Sequence, residues 1–260
     1  MKKWTITGYS TALFSTWYFV DELGLLLDAG DGVVSALLQK SRKIGHVFIS
    51  HADRDHVTGL LQLNQLNARP DFPRIHYPYD CRSFPALEQF SKQFDPHVTG
   101  TVWQALRAGD TVQIRDDMYV EAVRNNHVQA DEHTFKSFGY RVYQLKNKLK
   151  PEYAKLSQEQ VVDLIKVHGR GYITDQIRTN VLTYSGDTPV DDYNRWDNTE
   201  VLIHEATFMS RKEQEGLHPH GNKHSNLEVV MEMAATLNLG ALVLGHFSSR
   251  YTHVEIDANI

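Results

Sequence analysis

Short apolar runs alternate with polar stretches along the chain, and this alternation predicts a series of strands and helices. Strands are expected where aromatic and branched residues cluster, and helices where apolar residues recur every three or four positions. The predicted strands cover 4–8, 17–20, 23–27, 46–49, 74–77, 101–106, 111–114, 118–123 and the apolar starts of the runs 181–188, 201–208 and 241–251. The predicted helices cover 33–43, 59–66, 85–94 and 227–237, with a further helical pattern through 165–167.

Length and composition set limits on this picture. The 260 residues contain no internal repeat and no low-complexity linker, so we expect one domain over 1–260. The only cysteine, Cys81, excludes an intrachain disulfide and fits a reducing compartment. Because there is no signal-peptide pattern and no apolar run near the length of a spanning helix, we expect a cytoplasmic protein.

The formal net charge of −5 changes the range of partners that can be considered. Phosphate binding draws its affinity from clustered Lys and Arg, so an acidic chain does not hold nucleic acid with its whole surface. The most basic local run is 141–155, which contains one Arg and four Lys against a single Glu. This run is either a solvated face or a local contact for nucleic acid.

A candidate metal site follows the predicted strand 46–49. The loop His51-Ala52-Asp53-Arg54-Asp55-His56 places two imidazoles and two carboxylates within six residues. Imidazole nitrogen and carboxylate oxygen are ligands that zinc, iron and manganese accept, and a tight loop can aim them at two adjacent points. A loop between a strand and a helix is also where functional residues concentrate.

The loop resembles the His-x-His-x-Asp-His signature of the metallo-β-lactamase superfamily. Asp53 stands where that family has its second histidine. A carboxylate is a harder ligand than imidazole, so this difference moves the metal preference from zinc toward iron or manganese. The family also has an aspartate at a strand end that supports a ligand; Asp28 fits that role, although an aspartate before Ala-Gly more often forms a turn.

Within the superfamily, the later motifs resemble tRNase Z, an endoribonuclease that trims tRNA precursors at the 3′ end. That resemblance implies a ligand histidine a few residues before Phe-Gly-Tyr-Arg, for which His133 is preferred on spacing and His127 is the alternative. It also implies that Asp187, in Ser-Gly-Asp-Thr after a strand, bridges the two metals. His204-Glu205-Ala206-Thr207 and His246-Phe-Ser-Ser-Arg-Tyr match tRNase Z closely, and His224-Ser-Asn differs slightly from its His-Ser-Thr.

The resemblance implies a fold, a metal set and a mechanism. The fold is an α/β, four-layer αβ/βα sandwich of two mixed sheets with helices outside. The implied metal ligands are His51, Asp53, Asp55, His56, His133, Asp187 and His246. Two divalent cations, zinc by preference and iron or manganese as alternatives, would supply a hydroxide nucleophile, with Asp55 holding the water and the pair Glu205 and His224 delivering a proton to the leaving group.

The resemblance implies an RNA substrate, a tRNA precursor, and a homodimer. The acidic net charge, Asp53 and the absence of a Gly-Pro-rich arm favour an alternative, a hydrolase of the same fold that acts on a cyclic nucleotide, another small phosphodiester or a lactone. A third hypothesis is a di-iron redox protein or a non-catalytic module. The remaining histidines, among them His76, His97, His204, His218 and His220, are expected in the core or on the surface.

Overall fold

The fold consists of two mixed β-sheets packed face to face. The computed structural model describes residues 3–215 and 223–260, so His218 and His220 lie outside the described residues. The first sheet has the strand order β13-β1-β2-β3-β4-β5-β6, and the second has the order β12-β11-β10-β9-β8-β7. Strands β3 to β6 run parallel, as do β10 to β12, so their carboxyl ends meet at sheet edges.

The strands overlap the predicted ones, with two large differences. They are β1 (Ile6–Ala12), β2 (Ser15–Val20), β3 (Leu25–Leu27), β4 (His46–Phe48), β5 (Arg74–Pro78), β6 (Val102–Leu106), β7 (Thr111–Arg115), β8 (Met118–Arg124), β9 (Phe138–Leu149), β10 (Thr174–Tyr184), β11 (Thr199–Glu205), β12 (Leu239–Gly245) and β13 (Phe247–Ser248). Strand β9 is not among the predicted strands. Nor is the first half of β10, where Thr174 to Thr179 are mostly exposed and lack an apolar pattern.

Most of the helices lie on the outer faces of the two sheets. They are α1 (Val33–Leu37), α2 (Arg54–Val57), α3 (Leu60–Asn67), α4 (Ser83–Phe94), α5 (Gln158–His168), α6 (Arg170–Ile173), α7 (Arg211–Glu215), α8 (Leu227–Thr236) and α9 (His253–Asn259). The predicted helix over 33–43 is α1 followed by a 3-10 turn (Leu38–Lys43). Among the described residues, no helix is long and apolar enough to cross a membrane.

Side chains along each strand of the first sheet point alternately toward the second sheet and toward the helices. Leu25, Leu27 and Phe48 face the second sheet and pack in a core with its side chains, such as Tyr140. Leu26 lies between two of these residues in sequence and faces the helices instead, in a separate core with α1, α3 and α4. Successive strand residues point to opposite faces, so a sheet buried on both sides reads as a continuous apolar run. The result is the predicted arrangement of two sheets with helices outside.

Strands β9 and β10 form a long antiparallel hairpin that extends beyond the core. Their register runs from Tyr140 opposite Tyr184 at one end to Leu149 opposite Thr174 at the other. The first end is buried, and the outer half is mostly exposed and carries Lys146 and Lys148. Helices α5 and α6 connect the two strands at this outer end, and a Ser157 capping box begins α5.

Candidate metal centre

Ligand-bearing loops from both sheets converge at one edge of the sandwich. They follow the carboxyl ends of β4, β8, β10 and β12. Glu205, the last residue of β11, lies at the same edge. Gly186, in the loop after β10, has φ of +58°, and a side chain there would collide with the Phe138 carbonyl. Glycine therefore lets this loop pass close to β9 and deliver Asp187 to the edge.

One group of ligand atoms comes from His51, His127 and Asp187, all buried and within 4.8 Å of one another. The Asp53 carboxylate joins this group from the outside. Its Oδ2 lies 3.5 Å from His51 Nε2 and 3.6 Å from His127 Nε2, while about half of the side chain remains exposed. These four residues form the first candidate cation site.

A second group comes from Asp55, His56 and His246, which are also buried and within 4.8 Å of one another. Asp187 connects the two groups. Its Oδ2 lies 3.2 Å from His246 Nε2, 3.3 Å from His56 Nε2 and 3.7 Å from His51 Nε2. A carboxylate at this point can bridge two cations.

Each candidate ligand imidazole is anchored through its Nδ1 atom. His56 Nδ1 lies 2.7 Å from Asp28 Oδ2, and His127 Nδ1 lies 2.9 Å from the Lys223 carbonyl. The Nδ1 atoms of His51 and His246 contact the hydroxyls of Ser50 and Thr207 at 2.9 Å. Such contacts fix the ring so that Nε2 is left for a metal.

The donor set fits divalent cations. Among the described residues, the Nε2 atoms of His51, His56 and His127 are buried and have no hydrogen-bond partner. Buried polar atoms are rarely left unpaired, and these three converge on the same small volume. Together with His246 they give four imidazole nitrogens beside three carboxylates, a set suited to zinc, iron or manganese.

Electrostatics support the same assignment. Burial opposes the charge on Asp187, but the His246 and His56 imidazoles outweigh it and hold the pKa of Asp187 well below its usual range. The nearby His127 and His51 imidazoles likewise lower the pKa of Asp53. Burial also opposes the charge on Asp55, but the His246 imidazole outweighs it and lowers the pKa of Asp55. All three carboxylates are therefore ionised at neutral pH, and this concentration of negative charge attracts cations.

Glu205 and His224 form a pair beside the candidate metal ligands. His224 Nδ1 lies 3.0 Å from Glu205 Oε1, and Glu205 also accepts hydrogen bonds from the Thr188 and Thr207 backbone N–H groups. Burial lowers the pKa of His224, but the Glu205 carboxylate outweighs this effect and raises it to about 9. The imidazole is therefore protonated at neutral pH and can donate a proton.

His133 does not reach the centre, which corrects the preferred prediction. The residue is exposed, while His127, the alternative, is fully buried among the other ligands. The Arg124 guanidinium binds the carbonyls of residues 130–132 and so holds the segment before His133 at the surface. Distance from the preceding strand distinguishes the two histidines, because His127 follows the end of β8 by three residues and His133 by nine.

Asp28 does more than form the turn that the sequence favours. It is fully buried and accepts hydrogen bonds from the Ser50 N–H and the Tyr184 hydroxyl while contacting His56. Its role is therefore to orient a candidate ligand, beyond forming a turn. The other predicted site residues, Asp53, Asp55, His56, Asp187, His246, Glu205 and His224, all lie at the centre with His51. His76 and His204 lie in the core, as expected.

Sequence comparisons place the chain among known proteins. Residues 25–150 match the family model described as Beta-lactamase superfamily domain. The chain is 30% identical over 270 residues to tRNase Z TRZ2, chloroplastic, of Arabidopsis thaliana, covering 98% of this chain and 70% of that protein. It is 30% identical over 262 residues to tRNase Z TRZ1 of the same plant, with coverage of 97% and 88%. Ribonuclease Z of Bacillus licheniformis is 28% identical over 252 residues.

Solved structures give the same fold. Human tRNase Z, short form, superposes with a TM-score of 0.64 at 20% identity, covering 95% of this chain and 93% of that one. The metallo-beta-lactamase fold protein YhfI from Bacillus subtilis superposes with a TM-score of 0.65 at 16% identity, with coverage of 99% and 92%. These matches confirm the predicted α/β sandwich.

Proposed function

The chain belongs to the tRNase Z family of the β-lactamase superfamily and is a metal-dependent hydrolase, and we propose that it cleaves a phosphodiester bond in tRNA precursors at the centre described above. One observation carries the assignment of the centre: Asp187 Oδ2 lies within 3.7 Å of the Nε2 atoms of His51, His56 and His246. A carboxylate placed among imidazoles in this way could be shared by two adjacent cations.

The proposed ligands differ from the predicted set at one position. The first cation would be held by His51, Asp53, His127 and Asp187, and the second by Asp55, His56, His246 and Asp187. When bound, such a pair of cations lowers the pKa of coordinated water and neutralises charge that develops on the phosphoryl oxygens. We favour zinc because four imidazoles are present; Asp53 makes iron or manganese the alternative.

The other residues of the centre act on the water and on the leaving group. Asp55 Oδ2 lies 3.3 Å from His246 Nε2 and can hold or deprotonate the attacking water. His224 is the proposed proton donor to the leaving alkoxide. Glu205 keeps that imidazole protonated and oriented, since the carboxylate is itself fixed by Thr188 and Thr207. General-acid catalysis of this kind contributes about 10²- to 10⁴-fold.

Contacts to RNA are proposed for the outer half of the β9–β10 hairpin. Lys146 and Lys148 lie on exposed parts of these strands. Arg178 is not counted with them, because its guanidinium binds Glu121 and lies over the Tyr143 ring. Arg141 is excluded from this surface because its guanidinium binds Glu121 and the Arg195 carbonyl. The homodimer and the cytoplasmic location expected from the sequence remain proposals. In a dimer, the hairpin of one subunit would hold RNA that the other subunit cleaves.

The deciding experiment compares two substrates after metal loading. Purified protein reconstituted with zinc or manganese should release a 3′ trailer from a precursor tRNA and should also hydrolyse bis-p-nitrophenyl phosphate. Activity on the small ester alone would overturn the tRNA assignment and favour a hydrolase of small phosphodiesters. Two bound irons with visible absorption, in a protein inert toward both substrates, would favour the redox alternative.

A further inference from the structure

The tip of the β1–β2 hairpin presents two large apolar side chains to solvent beside the candidate metal centre. Leu13 is 87% exposed and Phe14 is 61% exposed. The Leu13 N–H donates a hydrogen bond of 3.0 Å to Asp55 Oδ2, the oxygen that also faces His246. The tip is therefore in direct contact with a proposed metal ligand.

The conformation of the tip is one that does not suit its sequence. The Phe14 N–H donates to the Thr11 carbonyl, which closes a turn in which Leu13 is the third residue, with φ of +70°. This position normally takes glycine or asparagine, because a branched side chain is strained there. Leu13 also buries almost nothing, so neither the turn nor the core explains a large apolar residue at this position.

Strain and exposure alone do not assign a function. Leu38, at the end of α1, also has a positive φ of +49° and is 70% exposed. It lies in a surface groove with Gln62 and Leu66, and no proposed ligand lines that groove. What distinguishes the tip is the hydrogen bond from the Leu13 N–H to Asp55, which places the apolar side chains of Leu13 and Phe14 beside the candidate metal centre.

We propose that Leu13 and Phe14 form a platform for the nucleoside next to the scissile phosphate. The inference rests on the proposed phosphodiesterase function and names a further substrate-binding element of the same site. A nucleobase has a flat apolar face, and stacking on an aromatic side chain is tolerant of base identity. The backbone of the tip holds Asp55 while its side chains hold the nucleoside, so one short turn serves both groups.

Two chromogenic esters test the platform without tRNA. Thymidine 5′-(p-nitrophenyl phosphate) carries a nucleoside, whereas methyl p-nitrophenyl phosphate has the same leaving group and no base. The readout is the nucleoside preference, the ratio of kcat/KM for the first ester to that for the second. Phe14→Ala should lower this ratio by about 5- to 150-fold, the range for loss of one base–aromatic stack, mainly through KM. Phe14→Trp should retain or raise it.

Leu38→Ala is the matched control and should leave the ratio unchanged. The inference is overturned if the unaltered protein shows no nucleoside preference, or if Phe14→Ala lowers kcat/KM equally for both esters. It is also overturned if Phe14→Ala keeps the ratio and changes only the oligomeric mass of the protein in solution. That result would assign the tip to self-association. If Phe14→Ala loses the nucleoside preference and the unaltered protein does not cleave precursor tRNA, the platform is supported and the tRNA substrate is rejected.

Discussion

At the scale of single residues, the centre depends on atoms that have no other partner. The Nε2 atoms of His51, His56 and His127 are buried without a hydrogen bond among the described residues, while each Nδ1 is anchored. Burying polar atoms in this way costs free energy, which a bound cation would offset. Removal of metal should therefore destabilise the fold as well as abolish activity.

His127 and His133 form a natural pair for testing the ligand assignment. His127→Ala should remove about one metal equivalent per chain, because the first cation loses one of its two imidazoles. His133→Ala, an exposed histidine six residues away, should retain both equivalents. The measurement is metal content after dialysis, by inductively coupled plasma mass spectrometry. Equal loss from both variants, or loss from His133→Ala alone, would contradict the corrected ligand set.

His224→Ala tests proton donation to the leaving group. The variant should keep its metal and cut precursor tRNA about 10²- to 10⁴-fold more slowly, since a ribose alkoxide requires a proton to leave. Hydrolysis of bis-p-nitrophenyl phosphate should fall far less, because p-nitrophenolate is a weak base and leaves unprotonated. The measurement is kcat on both substrates, and an equal fall on both would show that His224 supports the centre instead.

At the scale of secondary-structure elements, the β9–β10 hairpin separates two tasks. Its inner end, at Phe138 and Tyr184, contacts the metal-binding loop: the Phe138 N–H donates to the Ser50 carbonyl, and the Tyr184 hydroxyl donates to Asp28. Its outer half is exposed and basic. One pair of strands thus supports the centre and offers a separate surface for phosphates.

Charge reversal on the hairpin should affect only long substrates. Lys146→Glu with Lys148→Glu should raise KM for precursor tRNA and reduce its dependence on salt, since each lost phosphate contact removes about 0.7 to 0.9 from the slope of log affinity against log salt. Lys40→Glu with Arg42→Glu, on the turn after α1, is the matched control. The measurement is KM at several salt concentrations. Equal effects of the hairpin variant and the control variant would contradict RNA binding by the hairpin.

The elements differ in how far they could be predicted. Strand β4 followed from a continuous apolar run, because both of its faces are buried, and helix α3 followed from apolar periodicity, because it buries one side against a core. The outer part of β10 could not be found, since residues such as Asp175 and Gln176 pair only with β9 and have no buried face. At the centre, Asp187 was implied by the resemblance to tRNase Z together with its position after a strand, whereas the contact of Asp28 with His56, 28 residues apart, depends on tertiary packing.

At the scale of the whole molecule, the first sheet contains a buried pair of neutral histidines. His46 Nδ1 lies 3.2 Å from His76 Nε2, and the rings stack. Burial lowers the pKa of His46 to about 4 and that of His76 to about 3. In the unfolded chain both rings titrate near 6.5, so the unfolded state binds protons first as the pH falls.

Stability should therefore decrease from about pH 6.5 downward toward pH 4. Each of the two groups contributes up to about 1.4 kcal/mol per pH unit in that window, and the full stability is present above it. His76→Gln, which cannot titrate, should make the decrease less steep than in the unaltered protein. Urea unfolding at several pH values measures the slope, with the exposed His253→Gln as control. A slope that His76→Gln leaves unchanged would contradict this account.

The length of the β9–β10 hairpin sets a minimum size for any molecule that uses both of its ends. Strand β10 has 11 residues, so its outer end lies about 35 Å from the edge where Asp187 is delivered. A dinucleotide cannot span that gap, and a folded RNA can. If the gap is bridged between subunits instead, mixing a hairpin-defective chain with a metal-defective chain should restore turnover that neither chain has alone.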